Sequence, residues 1–225
     1  MLVRSTSILF FCSLITFPSF VTADNILDSK STKWRYQDNV SGVADRWTGP
    51  DFDDSTWATG TAPLGYGDAD TDAKQSGKLT FGTDPKKKRT VAFLRHSLNV
   101  ANPNTIKKVH GKFLCDDGCV VYLNGTEVHR FNLRKGELTK QTQAGFAMGG
   151  DLERYQMSFV VDPKLLKAGK NVVAVRLHQA SPDSSDLAFD LMLKPLTDDD
   201  EVQDAEATVA EEKAAIESML DGNGA

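Results

Sequence analysis

The residues with the most evident chemical capacity sit together in Cys115-Asp116-Asp117-Gly118-Cys119. Adjacent carboxylates repel unless a cation or a set of hydrogen-bond donors neutralises them. Calcium gathers several oxygen ligands and suits loop carboxylates, so Asp116 and Asp117 are candidate calcium ligands. The alternative is that they accept turn amides, as Asp does in Asx turns. Asp68, Asp70 and Asp72 alternate in a second calcium-like pattern. The full EF-hand loop is missing there, so a solvated loop is the simpler reading.

Cys115 and Cys119 flank the acidic pair. Val109, Gly111, Phe113 and Cys115 alternate before it, and Val121 and Leu123 after it. A three-residue loop closing a hairpin would set the two cysteines opposite each other, at a separation within disulfide reach. An exported chain would oxidise them. The expectation is therefore a disulfide, with two structural thiols as the alternative.

His178-Gln179, followed by Ser184-Ser185-Asp186, places histidine, serine and acid close in sequence. No Gly-x-Ser-x-Gly elbow accompanies them. His178, Ser185 and Asp186 are therefore candidate ligand contacts at a sandwich rim, and no catalytic residue is assigned. Trp47, Trp57 and Tyr66, with Trp34 and Tyr36, offer flat faces on which the apolar side of a sugar ring can stack; the same residues also fill cores. His96 lies on an apolar strand face and reads as a core histidine. Lys86-Lys87-Lys88-Arg89 is a basic run that can stay solvated or meet an anionic polymer. Asn39-Val40-Ser41 and Asn124-Gly125-Thr126 are glycosylation acceptors only in a eukaryotic host.

These groups need a scaffold, and the chain supplies one in a recognisable order. Arg4, then the apolar run Ile8–Ile15, Pro18 and Val21-Thr22-Ala23 read as a signal peptide over 1–23. The apolar run is too short to span a bilayer. The expected location is secreted or extracytoplasmic, meaning the periplasm or cell surface in a bacterium. The body, residues 24–197, carries 24 Lys and Arg against 21 Asp and Glu. Residues 198–225 carry one Lys against ten acids. A body so weakly positive gives no case for nucleic acid.

Residues 90–100 alternate, with Ala92, Leu94, His96, Leu98 and Val100 on one face. Asn124-Gly125 is a strong hairpin signal leading into Glu127–Arg130. Further alternation appears in Tyr155, Met157, Phe159 and Val161, in Val173, Val175 and Leu177, and in Leu187, Phe189, Leu191 and Leu193. Helices between the strands are lacking, so the fold class is all-β, an antiparallel β-sandwich. The loop-rich stretch 64–90 is of a length usually functional or mobile. A short segment, 24–30, precedes a sandwich over 31–196. The tail, 197–225, has Val202, Val209 and Ile216 at heptad spacing and reads as a marginal helix or a disordered segment, available to a protein partner.

In order along the chain come Trp34-Arg35-Tyr36, Phe52-Asp53-Asp54-Ser55-Thr56-Trp57, Ala62-Pro63-Leu64-Gly65-Tyr66-Gly67-Asp68, Phe93-Leu94-Arg95, Asp116–Gly125, Gly169–Val175 and His178-Gln179 with Ser184–Leu187. This series resembles the galactose-binding-domain-like jelly rolls of secreted proteins, modules that often stand beside metallophosphoesterase domains of the purple-acid-phosphatase kind. The resemblance covers about 31–195. It implies a jelly-roll sandwich, and in similar lectin-like rolls an Asp-Asp loop holds calcium against sugar hydroxyls. The phosphoesterase metal motifs themselves are missing: Gly67-Asp68-Ala69-Asp70 and Gly150-Asp151-Leu152-Glu153 lack the histidine. The expected function is a non-catalytic binding module for carbohydrate or another extracellular polymer. The alternative is a structural or assembly component working through protein contacts, with a hydrolase the least supported.

Overall fold

The computed structural model describes residues 25–39, 43–67, 77–149 and 156–222. The expected signal peptide, the alternating Asp68, Asp70 and Asp72, and Tyr155 lie outside them. Among the described residues, eleven strands and one α-helix follow in order: β1 (Lys33–Gln37), β2 (Ala58–Thr61), β3 (Leu64–Tyr66), β4 (Gly77–Lys78), β5 (Val91–Val100), β6 (Lys108–Asp116), β7 (Gly118–Leu123), β8 (Thr126–Phe131), β9 (Met157–Val161), β10 (Gly169–His178), β11 (Leu187–Leu196) and α1 (Asp199–Gly222). They form a β-sandwich. One sheet runs β2-β1-β5-β10-β7-β8 and the other β4-β3-β11-β6-β9. All pairings are antiparallel except the two-residue contact of β3 with β4.

The period-two pattern sets which side chains meet between the layers. Leu94, Leu98, Val121, Val175 and Leu177 of the first sheet pack against Phe113, Phe159, Phe189 and Leu191 of the second. The opposite side of β5 is also covered. Val91 and Phe93 point outward there and are buried under Trp47 and Trp57. The expected hairpin at Asn124-Gly125 forms between β7 and β8. Both residues take positive φ, 51° and 90°, the left-handed conformation that Asn and Gly adopt most readily. Asn124 is also tied down: its Nδ2 donates to Leu165 O and Asn171 Oδ1, both at 2.8 Å.

The hairpin expected at Cys115–Cys119 does not form. β6 pairs with β11 and β9, whereas β7 pairs with β10 and β8. Asp116-Asp117-Gly118 is thus a crossing from one sheet to the other. Alternating runs around a short polar segment look the same in either case, because sheet membership depends on distant strands. Cys115 and Cys119 are both buried free thiols, not the expected disulfide. A hydrogen bond still links their side chains between the layers, and burial holds the Cys115 thiol well above its ordinary pKa.

The tail is helical, the first of the two states expected for it: α1 is a helix of 24 residues. Asp198 caps it, its Oδ1 accepting from the Asp200 amide at 2.8 Å. Acids in the first turn suit the helix dipole. Three lysines of the sandwich hold the first half: Lys107 with Asp199 at 2.7 Å, Lys194 with Glu201 at 2.9 Å and Lys108 with Glu206 at 3.6 Å. Ala205 is buried, and Ile216 packs against the main core.

Candidate functional site

Most of the residues singled out from sequence gather at one end of the sandwich, where the β6–β7 crossing meets the segment after β10. Asp117 is fully buried. Its Oδ1 accepts from the Met148 amide and its Oδ2 from the Ala180 amide, each at 2.7 Å. Asp117 thus satisfies amides of two distant segments rather than those of its own turn, and a cation there would have to compete with both bonds. Asp116 is buried beside it. Among the described residues, no three His, Cys, Asp or Glu side chains are grouped to hold a metal ion.

Gln179, also buried, donates from Nε2 to Tyr66 Oη at 2.9 Å and to the Asp186 carbonyl. Burial pushes the Tyr66 phenol up to about 12. Lys88 of the basic run is drawn into the same end. It donates to the Ser184 carbonyl, and its ammonium lies 5.8 Å from the Tyr66 ring centre and 5.3 Å from that of Phe81. Ser185 Oγ donates to Asp186 Oδ1 at 2.6 Å. His178 Nδ1 lies 2.7 Å from the Thr142 carbonyl and so must donate to it. Burial holds His178 down to about 4, which keeps it neutral. Ser185 therefore bonds to the acid, and His178 to a backbone carbonyl. His178 Nε2 and Gln179 Oε1 have no partner, but both residues are at 0 % exposure, so these atoms do not face solvent. Tyr66, His178, Ser185, Asp186 and Asp117 lie at one rim, where Ser185 bonds to Asp186, Tyr66 to Gln179, His178 to Thr142, and Asp117 to Met148 and Ala180.

Trp47 and Trp57 do not join this rim. They lie on the outer face of the six-stranded sheet, ring centres 6.4 Å apart, at 7 % and 6 % exposure. Trp47 meets Phe93 and Tyr122 edge-on. Their aromatic faces are taken up in a small second core, the competing role that the sequence left open.

A cleft that the sequence did not indicate opens at the other edge. β8 and β9 are edge strands of the two sheets, and α1 lies across the gap between them. The space enclosed is about 420 Å³, within the range of small-molecule sites. Val128 and Phe131 of β8, Met157 and Phe159 of β9, and Val209 and Ile216 of α1 line it. Gly111 permits this floor: a Cβ there would lie 2.3 Å from Phe159 Cζ. His129 stacks on Phe159, with centres 4.5 Å apart and planes 9° from parallel. Burial lowers His129 to about 4, so its imidazole is neutral. Ser158 Oγ donates to Glu212 Oε1 at 3.2 Å. His129 Nε2 and Glu212 Oε2 have no hydrogen-bond partner and are shielded from solvent as they stand. Apolar walls with a few polar groups are the usual make-up of a ligand site. β6, β8, β9 and α1 build it; the alternation of Met157 with Phe159 and the spacing of Val209 with Ile216 were visible beforehand, but their convergence was not.

No family model matches the chain, and no curated protein does. Similar solved structures include a β-glucuronidase of glycoside hydrolase family 2, at 16 % identity and TM-score 0.45 over 77 % of this chain and 18 % of its own. A β-glycosidase from Bacteroides vulgatus has 15 % identity and TM-score 0.46, with 76 % of this chain and 20 % of its own covered. A Bacteroides uniformis β-glucuronidase has 17 % identity and TM-score 0.46, with 76 % and 18 % covered. The chain spans about a fifth of the length of these enzymes. The sandwich is read from the strand pairing itself.

Proposed function

We propose that the protein is a secreted, non-catalytic binding module that holds carbohydrate, or another extracellular polymer, in the cleft between β8, β9 and α1. The observation that carries this reading is a cleft whose apolar floor is lined by Phe131, Phe159 and the His129 ring, with the half-buried Glu212 carboxylate at its side. Sugar rings present an apolar face to aromatic surfaces and hydroxyls to acceptors, so both halves of the lining have a counterpart. The absence of catalysis is part of the proposal. It is supported by Ser185 and His178, which bond to Asp186 and Thr142 rather than to each other. Export rests on residues 1–23, whose pattern is that of a leader. The galactose-binding-like resemblance adds an accessory role beside a separate catalytic domain of the metallophosphoesterase kind.

Calorimetric titration of the mature chain with a panel of soluble oligosaccharides tests the proposal. A Val209→Trp variant, which fills the cleft from α1, should abolish binding while keeping the native melting profile. Binding that survives this variant would move the site elsewhere, and the absence of binding across the panel would overturn the carbohydrate reading.

A further inference from the structure

The charges around the cleft are unequal in one respect. Arg130 is clamped by Glu127 through two contacts, Nε to Oε1 at 2.8 Å and the second guanidinium nitrogen to Oε2 at 2.7 Å. Lys213 has Glu217 at 3.9 Å one helical turn on. Glu212 has only the neutral Ser158 hydroxyl, and among the described residues no cation stands within salt-bridge distance of it. It is half-buried against the sheet. A carboxylate taken partly out of water without a counterion is costly, and a charge supplied by a ligand relieves that cost. The end torsion of a glutamate side chain is soft, so the carboxylate can turn, exchanging the oxygen that Ser158 holds and bringing Oε2, shielded as it stands, towards the cleft.

Resting on the carbohydrate reading above, we infer that Glu212 selects an amine-bearing saccharide, one whose ring lies on the Phe159 side of the cleft and whose ammonium meets the carboxylate. His129 is held neutral by burial and so does not compete for Glu212. The same arrangement disfavours uronic acids, whose carboxylate would approach a like charge in a partly desolvated site.

The mature chain is titrated with three disaccharides: one of glucosamine with free amines, its N-acetylated counterpart, and one containing glucuronic acid. The free amine should bind about tenfold more tightly than the acetylated form, the margin of a charge-assisted over a neutral hydrogen bond. The uronate should bind most weakly. Glu212→Gln should bring the first two within about threefold of each other, since the charge is lost and the shape kept. Ser158→Ala removes the hydroxyl bond but keeps the carboxylate, and should retain the preference. Equal binding of amine and acetyl forms by the native chain overturns the inference and leaves the carbohydrate reading standing. A preference that persists in Glu212→Gln does the same. If no disaccharide binds to a chain whose melting shows it folded, the carbohydrate reading falls and this inference with it.

Discussion

Lys194 Nζ lies 2.9 Å from Glu201 Oε1, joining the last strand of the sandwich to the first turn of the C-terminal helix. The contact gives the acidic tail a partner inside its own chain. Lys107 and Lys108, at the start of β6, extend it along the helix to Asp199 and Glu206. Two members of the basic run Lys86–Arg89 are held elsewhere in the sandwich. Lys88 is engaged at Ser184, and Arg89 pairs with Asp38 at 3.4 Å.

Truncation after Thr197 is therefore expected to destabilise the body. The helix buries Ala205 and packs Ile216 on the core. Exposed ion pairs contribute little singly, so most of the loss should come from uncovered apolar surface, on the order of 2 kcal/mol for two aliphatic contacts. Urea denaturation of the truncated and full chains reads this, with a dye for exposed apolar surface as a second probe. Unchanged midpoints and no added dye binding would show that the tail is an appendage.

Asp117 should matter more to stability than its loop position suggests. Its two oxygens satisfy the amides of Met148 and Ala180. Asp117→Asn replaces one acceptor by an N–H that faces another N–H. The expected cost is about 2–4 kcal/mol, that of losing a charged bond and leaving a buried donor unmet. Chemical denaturation gives the value. A companion melt of the native protein with calcium and then with chelator tests the cation role, and a midpoint that rises with calcium would restore it.

Arg95 organises the loop that carries Trp47. The guanidinium, at 2 % exposure, donates to the carbonyls of Trp47, Gly49 and Phe52, and Nε lies 2.8 Å from Asp54 Oδ2. Arg95→Met keeps the volume but leaves those acceptors and a carboxylate without their cation. The loss should be about 3–5 kcal/mol, as for a broken buried pair. Tryptophan fluorescence should shift as Trp47 and Trp57 become solvated. A variant with native emission and an unchanged midpoint would remove the guanidinium from this role.

Stability should fall as pH drops from 6.5 towards 4. His129 and His178 are both held to about 4 by burial in the folded chain. The unfolded chain takes up these protons near 6.5. Between those values the unfolded state binds more protons, so unfolding is favoured as pH falls, and the slope flattens below 4. The full effect is roughly 3 kcal/mol per histidine. His129→Phe, which keeps a ring on Phe159, should flatten part of the melting-against-pH curve. A native curve that is level across that window would place both imidazoles in water.

The strands were legible because each carries an apolar face in strict alternation. Leu94 and Leu98, Val173 and Val175, and Phe189 and Leu191 all alternate, and all lie in the core. Pairing between distant strands was not legible. Asp116-Asp117-Gly118 read as a hairpin turn because nothing local says that β6 and β7 belong to different sheets. The docking of α1 was hidden for the same reason: its lysine partners lie at 107, 108 and 194, and its own pattern is one thin stripe. Of the rim residues, His178, Ser185 and Asp186 were placed there from sequence, whereas Tyr66 and Asp117 join them through Gln179 and Ala180 only in the fold. The cleft has no such signature, because Gly111, His129, Phe159 and Glu212 converge only through tertiary packing.

Cys115 and Cys119 offer the last test. Cys115 lies on β6 and Cys119 on β7, so a bond between them would staple the two sheets rather than close a hairpin. In the structure both are buried thiols, and burial keeps Cys115 in its protonated form. Thiolates, not thiols, react with alkylating agents and disulfides. Iodoacetamide should therefore leave the native protein unmodified and add two adducts after denaturation, a result read by intact mass. Export argues the other way, since an oxidising compartment favours pairing of neighbouring thiols. A protein collected from the secreted fraction whose denatured form takes no adduct until a reductant is added would show that the sheets are stapled. Its melting point should then drop on reduction, because a cross-link limits the freedom of the unfolded chain.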